Sequence, residues 1–453
     1  MPKFQSLKGF RDFFPDDFAT RAYITETWRK VAKSYGFQEY DAPPLESLDL
    51  YRHKSGDELV SQLYSFVDKG GREVALRPEM TPSVVRMVVD RWQSLPKPVR
   101  WFSIPQLFRY ERPQAGRLRE HFQFNVDVFG DQSYFAEADV LAVVIDSFKA
   151  FGLTSSDVKI RISDRRLLNR LLNDIGVAQS QVPLVYSVLD KFDRQERGFS
   201  ADRLVGGGLS ESVVDSLFDA IDKLRAASGR AALAEVVGQN DAFVSMIFHL
   251  HDVVDDANEW ITYDLTIVRG LGYYTGTVFE AYDASGRYRA ICGGGRYDSL
   301  VESLGGPSVA AVGMGWGDVV LTELLRELGK LPSSAPLLDF FVFSSADDPT
   351  KVRMFGAELR KLGLNVDARV GSRSRSQASN TSLRAARFGI LISEGSVVIT
   401  DAERGESYTR AGVGIQPLLN VIRAADPIRS GDSWIRAVRA FLDEQKSTTT
   451  DDR

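Results

Sequence analysis

The residues best suited to chemistry lie between Arg100 and Phe129. The chain runs Phe108-Arg109-Tyr110-Glu111-Arg112-Pro113, turns through Gly116, Arg117 and Arg119, and returns as Phe122-Gln123-Phe124-Asn125-Val126-Asp127. Two apolar, aromatic runs around a polar turn with Pro113 and Gly116 predict an antiparallel hairpin with a long tip. Strand alternation sets Arg109 and Glu111 on one face, and Gln123 and Asp127 keep the same even spacing on the return. Such a face suits a charged, planar ligand. Arginine presents a rigid fork to phosphate or carboxylate oxygens. Glu111 can accept from an exocyclic amine, and Phe122 offers a ring for a base to stack on. The spacing also fits a solvent-facing hairpin laced with Arg–Glu pairs, which would add little stability.

Three other stretches carry polar groups at turn or strand ends. In Leu76-Arg77-Pro78-Glu79-Met80-Thr81-Pro82, Thr81 reads as a cap and Pro82 as the first helical position, with a helix over residues 83 to 92. A strand predicted at Ile261 to Val268 leads into Arg269-Gly270-Leu271-Gly272-Tyr273-Tyr274-Thr275-Gly276. These glycines imitate a dinucleotide loop, but a strand follows where a helix is required, so that reading fails. Arg289 to Asp298 reads as a strand and the turn Gly293-Gly294-Gly295-Arg296-Tyr297-Asp298. Without Cβ atoms the backbone there is open to close approach by a ligand. The sequence has no Gly-x-x-x-x-Gly-Lys-Ser/Thr run, so a Walker-type loop is excluded as the holder of ATP.

The segment Phe108–Pro113, with Gly116-Arg117 and Arg119–Gln123, resembles motif 2 of class II aminoacyl-tRNA synthetases. With Gln123 and Asp127 it is similar to the histidyl-tRNA synthetases. Residues 79–81, 269–280 and 293–298 resemble that family's own segments in order and spacing, and the opening Gly9, Asp12 and Pro15 resembles its start. The likeness runs from Leu7 to about Ala424. It implies a histidine–tRNA ligase, which activates L-histidine with ATP and transfers it to the 3′ end of tRNA(His). By the resemblance Arg109 holds the α-phosphate and the amino-acid carboxylate, and Arg269 steadies charge on the same phosphate. Glu111 reads the adenine amine, Phe122 stacks on the base and Arg117 reaches the γ-phosphate. Gln123 and Asp127 hold the α-amine, Glu79 and Thr81 touch the amine and ring, and Tyr273, Tyr274 and Tyr297 line the imidazole pocket. Mg2+ is implied as the companion of ATP, with no protein-held metal. A long helix and a strand closing on Pro43-Pro44 resemble motif 1, which implies a homodimer.

The third motif departs from the family. Its strand reads Ala311-Val312-Gly313-Met314-Gly315-Trp316-Gly317. By the resemblance, Asp318 stands where the family usually carries an arginine for the γ-phosphate. A carboxylate cannot grip phosphate, which leaves Arg117, Arg119 and magnesium ions to share that charge. This departure favours one alternative: a non-catalytic synthetase paralogue, the histidine-sensing regulatory subunit of ATP phosphoribosyltransferase.

The elements that must position these groups are legible in outline. A chain of 453 residues, 43% hydrophobic and 26% charged, is long enough for two or three globular domains. A net charge of −5 gives no global attraction to nucleic acid or membrane, so RNA contact needs local basic patches. Cys292 is the only cysteine, which excludes an intrachain disulfide and points to a reducing compartment. The N-terminus lacks an apolar signal core, and no apolar run is long enough to cross a bilayer. The expectation is a cytoplasmic protein. The histidines are His53, His121, His249 and His251, and the last two lack the further ligands that a metal site needs.

Helical spacing over Thr20–Tyr35, a strand over Phe37–Pro44, a hairpin over Ser61–Leu76 and a helix over Phe135–Phe151 frame the first part. The predicted fold is α+β: a class II catalytic domain, an antiparallel sheet flanked by helices, from residues 1–165 and 256–330. Residues 166–255 read as a separate helical insertion and 331–336 as a linker. Residues 337–425 alternate strands and helices as a small α/β domain, which the resemblance assigns to anticodon binding. Lys361, Arg369, Arg373, Arg375 and Arg384 make it locally basic, and residues 426–453 read as a terminal helix with a disordered tail from Lys446.

Overall fold

A computed structural model describes residues 4–52, 62–114, 116–227, 229–238, 241–268, 274–332, 338–344, 349–370, 386–393, 396–411, 415–427 and 432–450. The chain divides into two compact units, Met1–Leu331 and Pro332–Arg453.

Helix α1 (Pro15–Ser34) starts one turn earlier than its apolar periodicity. Pro15 occupies the first turn, where its missing N–H costs nothing, and Asp16 and Asp17 face the positive end of the helix. It buries Ile24, Trp28, Val31 and Ala32, with Trp28 stacked on Phe124 at 5.5 Å. The strand expected over Phe37–Pro44 is only β1 (Gln38–Glu39), and the chain re-forms as β2 (Leu45–Ser47) beyond Pro43 and Pro44. Neither proline can donate to a ladder, which explains the break. Helix α2 (Leu48–Arg52), β3 (Ser65–Val67) and β4 (Glu73–Leu76) follow, and β2, β4 and β3 form a small sheet. Helix α3 (Thr81–Arg91) then opens on Thr81 and Pro82.

The expected hairpin arm is split into β5 (Val99–Ser103) and β6 (Gln106–Phe108) around Ile104-Pro105, and both pair with β7 (Glu120–Phe129). Regular pairing ends at Phe108, so Arg109 and Glu111 lie just beyond the strand. The Arg109 N–H still donates to the Arg119 carbonyl at 2.9 Å. Helix α4 (Phe135–Ala150) and β8 (Val158–Asp164) lead into helices α5 to α10 (Arg165–Asp174, Val182–Leu189, Arg197–Gly206, Glu211–Ala226, Gly229–Val237, Ala242–Val253). The chain returns through α11 (Ala257–Trp260), β9 (Ile261–Tyr263), β10 (Thr277–Asp283), β11 (Cys292–Arg296), α12 (Ser299–Ser303), β12 (Ala311–Gly317) and α13 (Asp318–Glu327).

The main sheet has the order β1-β5-β7-β12-β11-β10-β8-β9. It is antiparallel from β5 to β8 and parallel only at its two edges. The α+β architecture read from the sequence is therefore present. The helical segment α5–α10 is not walled off from it. Phe243, Val244 and Leu250 belong to the same continuous core as Val140, Ile145 and Trp316, and the Phe243 ring meets Tyr263 edge-on at 6.1 Å. Apolar burial is roughly proportional to area, so sharing one core holds this segment to the sheet more firmly than a linker would.

The second unit has the sheet order β14-β13-β15-β16-β17, where β13 is Leu338–Ser344, β14 Val366–Val370, β15 Ala386–Ser393, β16 Ser396–Asp401 and β17 Glu406–Ala411. Helices α14 (Pro349–Lys361), α15 (Gln416–Ala424) and α16 (Ser433–Thr450) accompany it. The last helix continues past Lys446, where composition predicts a tail, and it is part of this unit's core. Trp434 lies 5.6 Å from the Phe340 ring and 5.9 Å from Phe388. The helix expected near Ser382, and Arg373, Arg375 and Arg384, lie outside the described residues.

Candidate functional site

Strand β7 carries the polar side chains into one face of the sheet. His121, Gln123, Asn125 and Asp127 alternate with Phe122, Phe124 and Val126, and the second set turns to the core side. Opposite them β12 places glycines: Gly313 pairs with Asp127, Gly315 with Asn125 and Gly317 with Gln123. A Cβ on Gly313 would stand 2.3 Å from Asp127 Oδ1 and 2.7 Å from the Val126 carbonyl. One on Gly315 would stand 3.0 Å from the Gln123 amide. The glycines are what give the polar groups room.

Above this floor lie two adjoining cavities. The first, about 300 Å³, is lined by Glu79, Thr81, Arg109, Gln123, Asn125, Asp127, Tyr274, Phe279, Glu280 and Tyr297. The second, about 250 Å³, is lined by Arg109, Glu111, Arg117, His121, Gln123, Arg289, Cys292, Val319 and Val320. Arg109, Gln123, Gly293 and Gly315 belong to both. Arg109 therefore stands at the junction, and its position is set by a relay of contacts. Arg77 binds Asp41 at 2.7 Å, the Ala42 carbonyl at 2.5 Å and the Gln106 carbonyl at 3.1 Å. That fixes the turn after β4, and the neighbouring Pro78 carbonyl accepts Arg109 Nε at 2.9 Å.

In the first cavity the Tyr297 hydroxyl donates to Asp127 Oδ1 at 2.5 Å, with both residues buried. The carboxylate of Asp127 is thus oriented at the cavity wall. In the second cavity Arg117 is ion-paired with Glu111. The His121 imidazole has its pKa pushed down to about 3, first by burial and then by Arg109, Arg11 and Arg117 around it. At working pH it is a neutral aromatic ring beside three cations.

The structure gathers Glu79, Thr81, Arg109, Gln123, Asp127, Tyr274 and Tyr297 at the first cavity and Arg109, Glu111 and Arg117 at the second. Phe122 needs correction. Its ring meets Phe13 edge-on at 6.0 Å, Arg21 covers it at 4.6 Å, and it lines neither cavity. Strand parity is the reason: Phe122 is odd-numbered from Gln123 and so faces away, while His121 faces in. The same parity count applied to the sequence would have found His121 and Asn125. Phe279, Glu280 and Arg289 had no comparable signal. Arg269 and Tyr273 lie outside the described residues. Their described neighbours are held by Arg165, which donates to the Val268 carbonyl at 3.3 Å and the Tyr274 carbonyl at 3.1 Å.

Asp318 faces away from both cavities. Its carboxylate accepts from Arg11 Nη1 at 2.9 Å and from the Phe122 N–H at 2.9 Å. Burial raises its pKa, against the pull of Arg11. Arg119, the other cation held in reserve for phosphate, donates to the Glu111 carbonyl at 3.0 Å and lies over the Tyr110 ring at 4.3 Å. It lines neither cavity. His249 packs its ring against Phe135 at 4.2 Å.

A glycine-floored antiparallel sheet with an arginine between two cavities is the arrangement of the class II aminoacyl-tRNA synthetases. A solved histidyl-tRNA synthetase from Nostoc sp. superposes with a TM-score of 0.75, covering 91% of this chain and 97% of its own, at 23% identity. One from S. aureus superposes with a TM-score of 0.63. At such identities these likenesses concern the fold. The histidyl-tRNA synthetase family profile matches residues 9–316. The histidine–tRNA ligase of Thermoplasma volcanium is 38% identical over 408 residues, 89% of this chain and 95% of its own. That of Opitutus terrae is 43% identical over 374 residues, 81% and 85%. That of Natronomonas pharaonis is 36% identical over 455 residues, 99% of each chain. The chain belongs to the histidyl-tRNA synthetase family. Among the described residues no helix is long and apolar enough to cross a membrane.

Proposed function

We infer that this site joins histidine to tRNA in two steps, with ATP as the activating substrate. The observation that carries the reading is Arg109 at the junction of the two cavities. A cation there meets both groups that must react, the carboxylate of an amino acid on one side and the α-phosphate of a nucleotide on the other.

In the first step a histidine carboxylate oxygen attacks the α-phosphorus. The new O–P bond forms as the bond to the β-phosphate oxygen breaks, and pyrophosphate leaves. Arg109 neutralises charge that grows on the α-phosphate oxygens, assisted by Arg269 as the resemblance assigns it. Asp127, held by Tyr297, receives the α-ammonium together with Gln123. Glu79, Thr81, Tyr273, Tyr274 and Tyr297 take the amine and the imidazole. Glu111 reads the adenine amine and Arg117 lies along the phosphates. The flat ring for the base is His121 in place of Phe122, since His121 lines the cavity and is neutral. In the second step the terminal ribose hydroxyl of tRNA(His) attacks the activated carbonyl, and AMP leaves. Holding the reactants in one geometry supplies much of the acceleration.

Mg2+ arrives with ATP as part of the substrate. Among the described residues no three carboxylate, imidazole or thiolate groups gather as metal ligands. Phosphate oxygens and water are proposed as its main partners. The resemblance of the first helix and strand to motif 1 supports a homodimer. The second unit is proposed to bind the anticodon, and the cytoplasm to be the working compartment.

The sensor alternative draws on one observation, the absence of a third-motif arginine. Histidine-dependent exchange of pyrophosphate into ATP by the purified protein, run against the other amino acids, separates the two. Exchange with histidine alone is expected. Histidine binding without exchange would select the sensor.

A further inference from the structure

We propose that Arg289 is the cation that receives the distal phosphate of the nucleotide, in place of the arginine that the start of α13 lacks. The proposal rests on reading the second cavity as the nucleotide site.

The wall of that cavity built by α13 is Val319 and Val320, whose side chains offer phosphate no charge. Asp318 is turned to Arg11, and Arg119 is engaged by a backbone carbonyl and the Tyr110 ring. The cavity's cations among the described residues are Arg109, Arg117 and Arg289. Arg117 already faces Glu111, and Arg109 lies at the junction with the amino-acid cavity. A triphosphate carries several negative charges, and its far end needs a guanidinium whose charge is not already balanced.

Arg289 meets that need. It sits on the segment between β10 and β11, three residues before Cys292, and its side chain is exposed. Among the described residues it has no carboxylate or other polar partner. It also lines a larger groove of about 1270 Å³, and the contrast there is informative. Arg161 pairs with Asp193 at 2.7 Å, Arg225 with Asp264 at 2.9 Å, and Arg287 with Glu327. Two of the groove's arginines reach the nucleotide cavity, Arg117 and Arg289. Arg117 is paired with Glu111, and the groove's other arginines are likewise charge-compensated, while Arg289 is not. This favours a phosphate of the nucleotide over the RNA backbone as the partner of Arg289.

The test compares Arg289→Ala and Arg289→Lys in histidine-dependent pyrophosphate exchange, in inhibition of that exchange by AMP, and in tRNA charging. With Arg289→Ala the KM for ATP is expected to rise about tenfold to a hundredfold, the worth of one charge-assisted hydrogen bond. The KM for histidine and the inhibition constant of AMP, which has no distal phosphates, stay at the wild-type values. Arg289→Lys recovers part of the loss, because an ammonium keeps the charge and loses the fork. An unchanged KM for ATP overturns the proposal. So does an equal loss of AMP and ATP, which would mean a general distortion. If exchange is intact and only the KM for tRNA rises, Arg289 belongs to the RNA track and the proposal is wrong. Absence of exchange in the wild-type protein would instead overturn the functional reading beneath it.

Discussion

Replacing Tyr297 by phenylalanine removes one hydroxyl and leaves the packing of the ring in place. The ring is 2% exposed and meets Phe129 edge-on at 6.2 Å, contacts that phenylalanine keeps. What is lost is the O–H donated to Asp127 Oδ1 at 2.5 Å. Asp127 is 4% exposed, so solvent cannot fully replace that donor. A hydrogen bond to a charged group is worth about 1.5–3 kcal/mol, a factor of about ten to a hundred. If Asp127 holds the α-ammonium of histidine, this loss falls on histidine binding. Pyrophosphate exchange at varied histidine and ATP should show the KM for histidine raised by about that factor. The KM for ATP should move little, because Tyr297 lines the first cavity alone. Thermal unfolding of the same preparation checks that the fold is kept. A histidine KM within twofold of wild type, in a folded variant, would refute the assignment of Asp127 to the amine. A parallel rise in both KM values would refute the separation of the two cavities.

Gly313→Ala puts a methyl group 2.3 Å from Asp127 Oδ1 and should abolish histidine-dependent exchange, and an active variant would mean that Asp127 is free to move. Glu137→Gln strips the carboxylate from a buried pair in which Arg296 Nε donates to Glu137 Oε1 at 2.5 Å. It should cost about 3–5 kcal/mol of stability, measured by denaturant unfolding, because the buried guanidinium keeps only the more exposed Asp298 carboxylate at 3.2 Å as its counter-charge. His121 gives a pH dependence. Its folded pKa lies near 3, below the ordinary 6.5, so stability is complete above pH 6.5 and is lost as pH falls towards 3. Each pH unit in that window costs about 1.4 kcal/mol at most, and His121→Phe should flatten the loss between pH 6.5 and 5.5. Identical slopes for the two proteins would contradict the burial of a neutral ring beside three arginines.

Much of the site was readable because its polar groups are close in sequence and on one strand. Gln123 and Asp127 share a face by alternation alone, and the glycines of β11 announced a close approach. Arg109 and Glu111 illustrate the limit of that logic. Both reach the second cavity, although the strand that was to align them ends at Phe108. The misplaced Phe122 came from weighing aromatic character over parity, where parity is the stronger constraint because one residue changes the face. The continuous core under α5–α10 was hidden for another reason. Amphipathic helices show which face is apolar but not what covers it, and here α4 and the sheet do so. Arg289 had no periodic pattern around it, and only the cavity shows its use.

The third motif shows how a change of charge at one position redistributes work among several segments. Asp318 is 2% exposed at the first turn of α13, where a carboxylate is favoured by the helix dipole. It holds Arg11 and the Phe122 N–H, while Arg11 Nε also donates to Glu120 at 2.6 Å and Glu120 accepts from Gln106 at 2.8 Å. The opening segment, β6, β7 and α13 are thereby tied through one half-buried cation and two buried carboxylates. Restoring the family's residue with Asp318→Arg would not restore a phosphate clamp. It would set a second guanidinium against Arg11 and leave the Phe122 N–H without its acceptor, a loss of about 3–5 kcal/mol by the rule for breaking a buried pair. The expected variant unfolds at lower denaturant and does not bind ATP more tightly. A variant of wild-type stability with a lower KM for ATP would show that the position is still free to serve phosphate, and that the tie to Arg11 is dispensable.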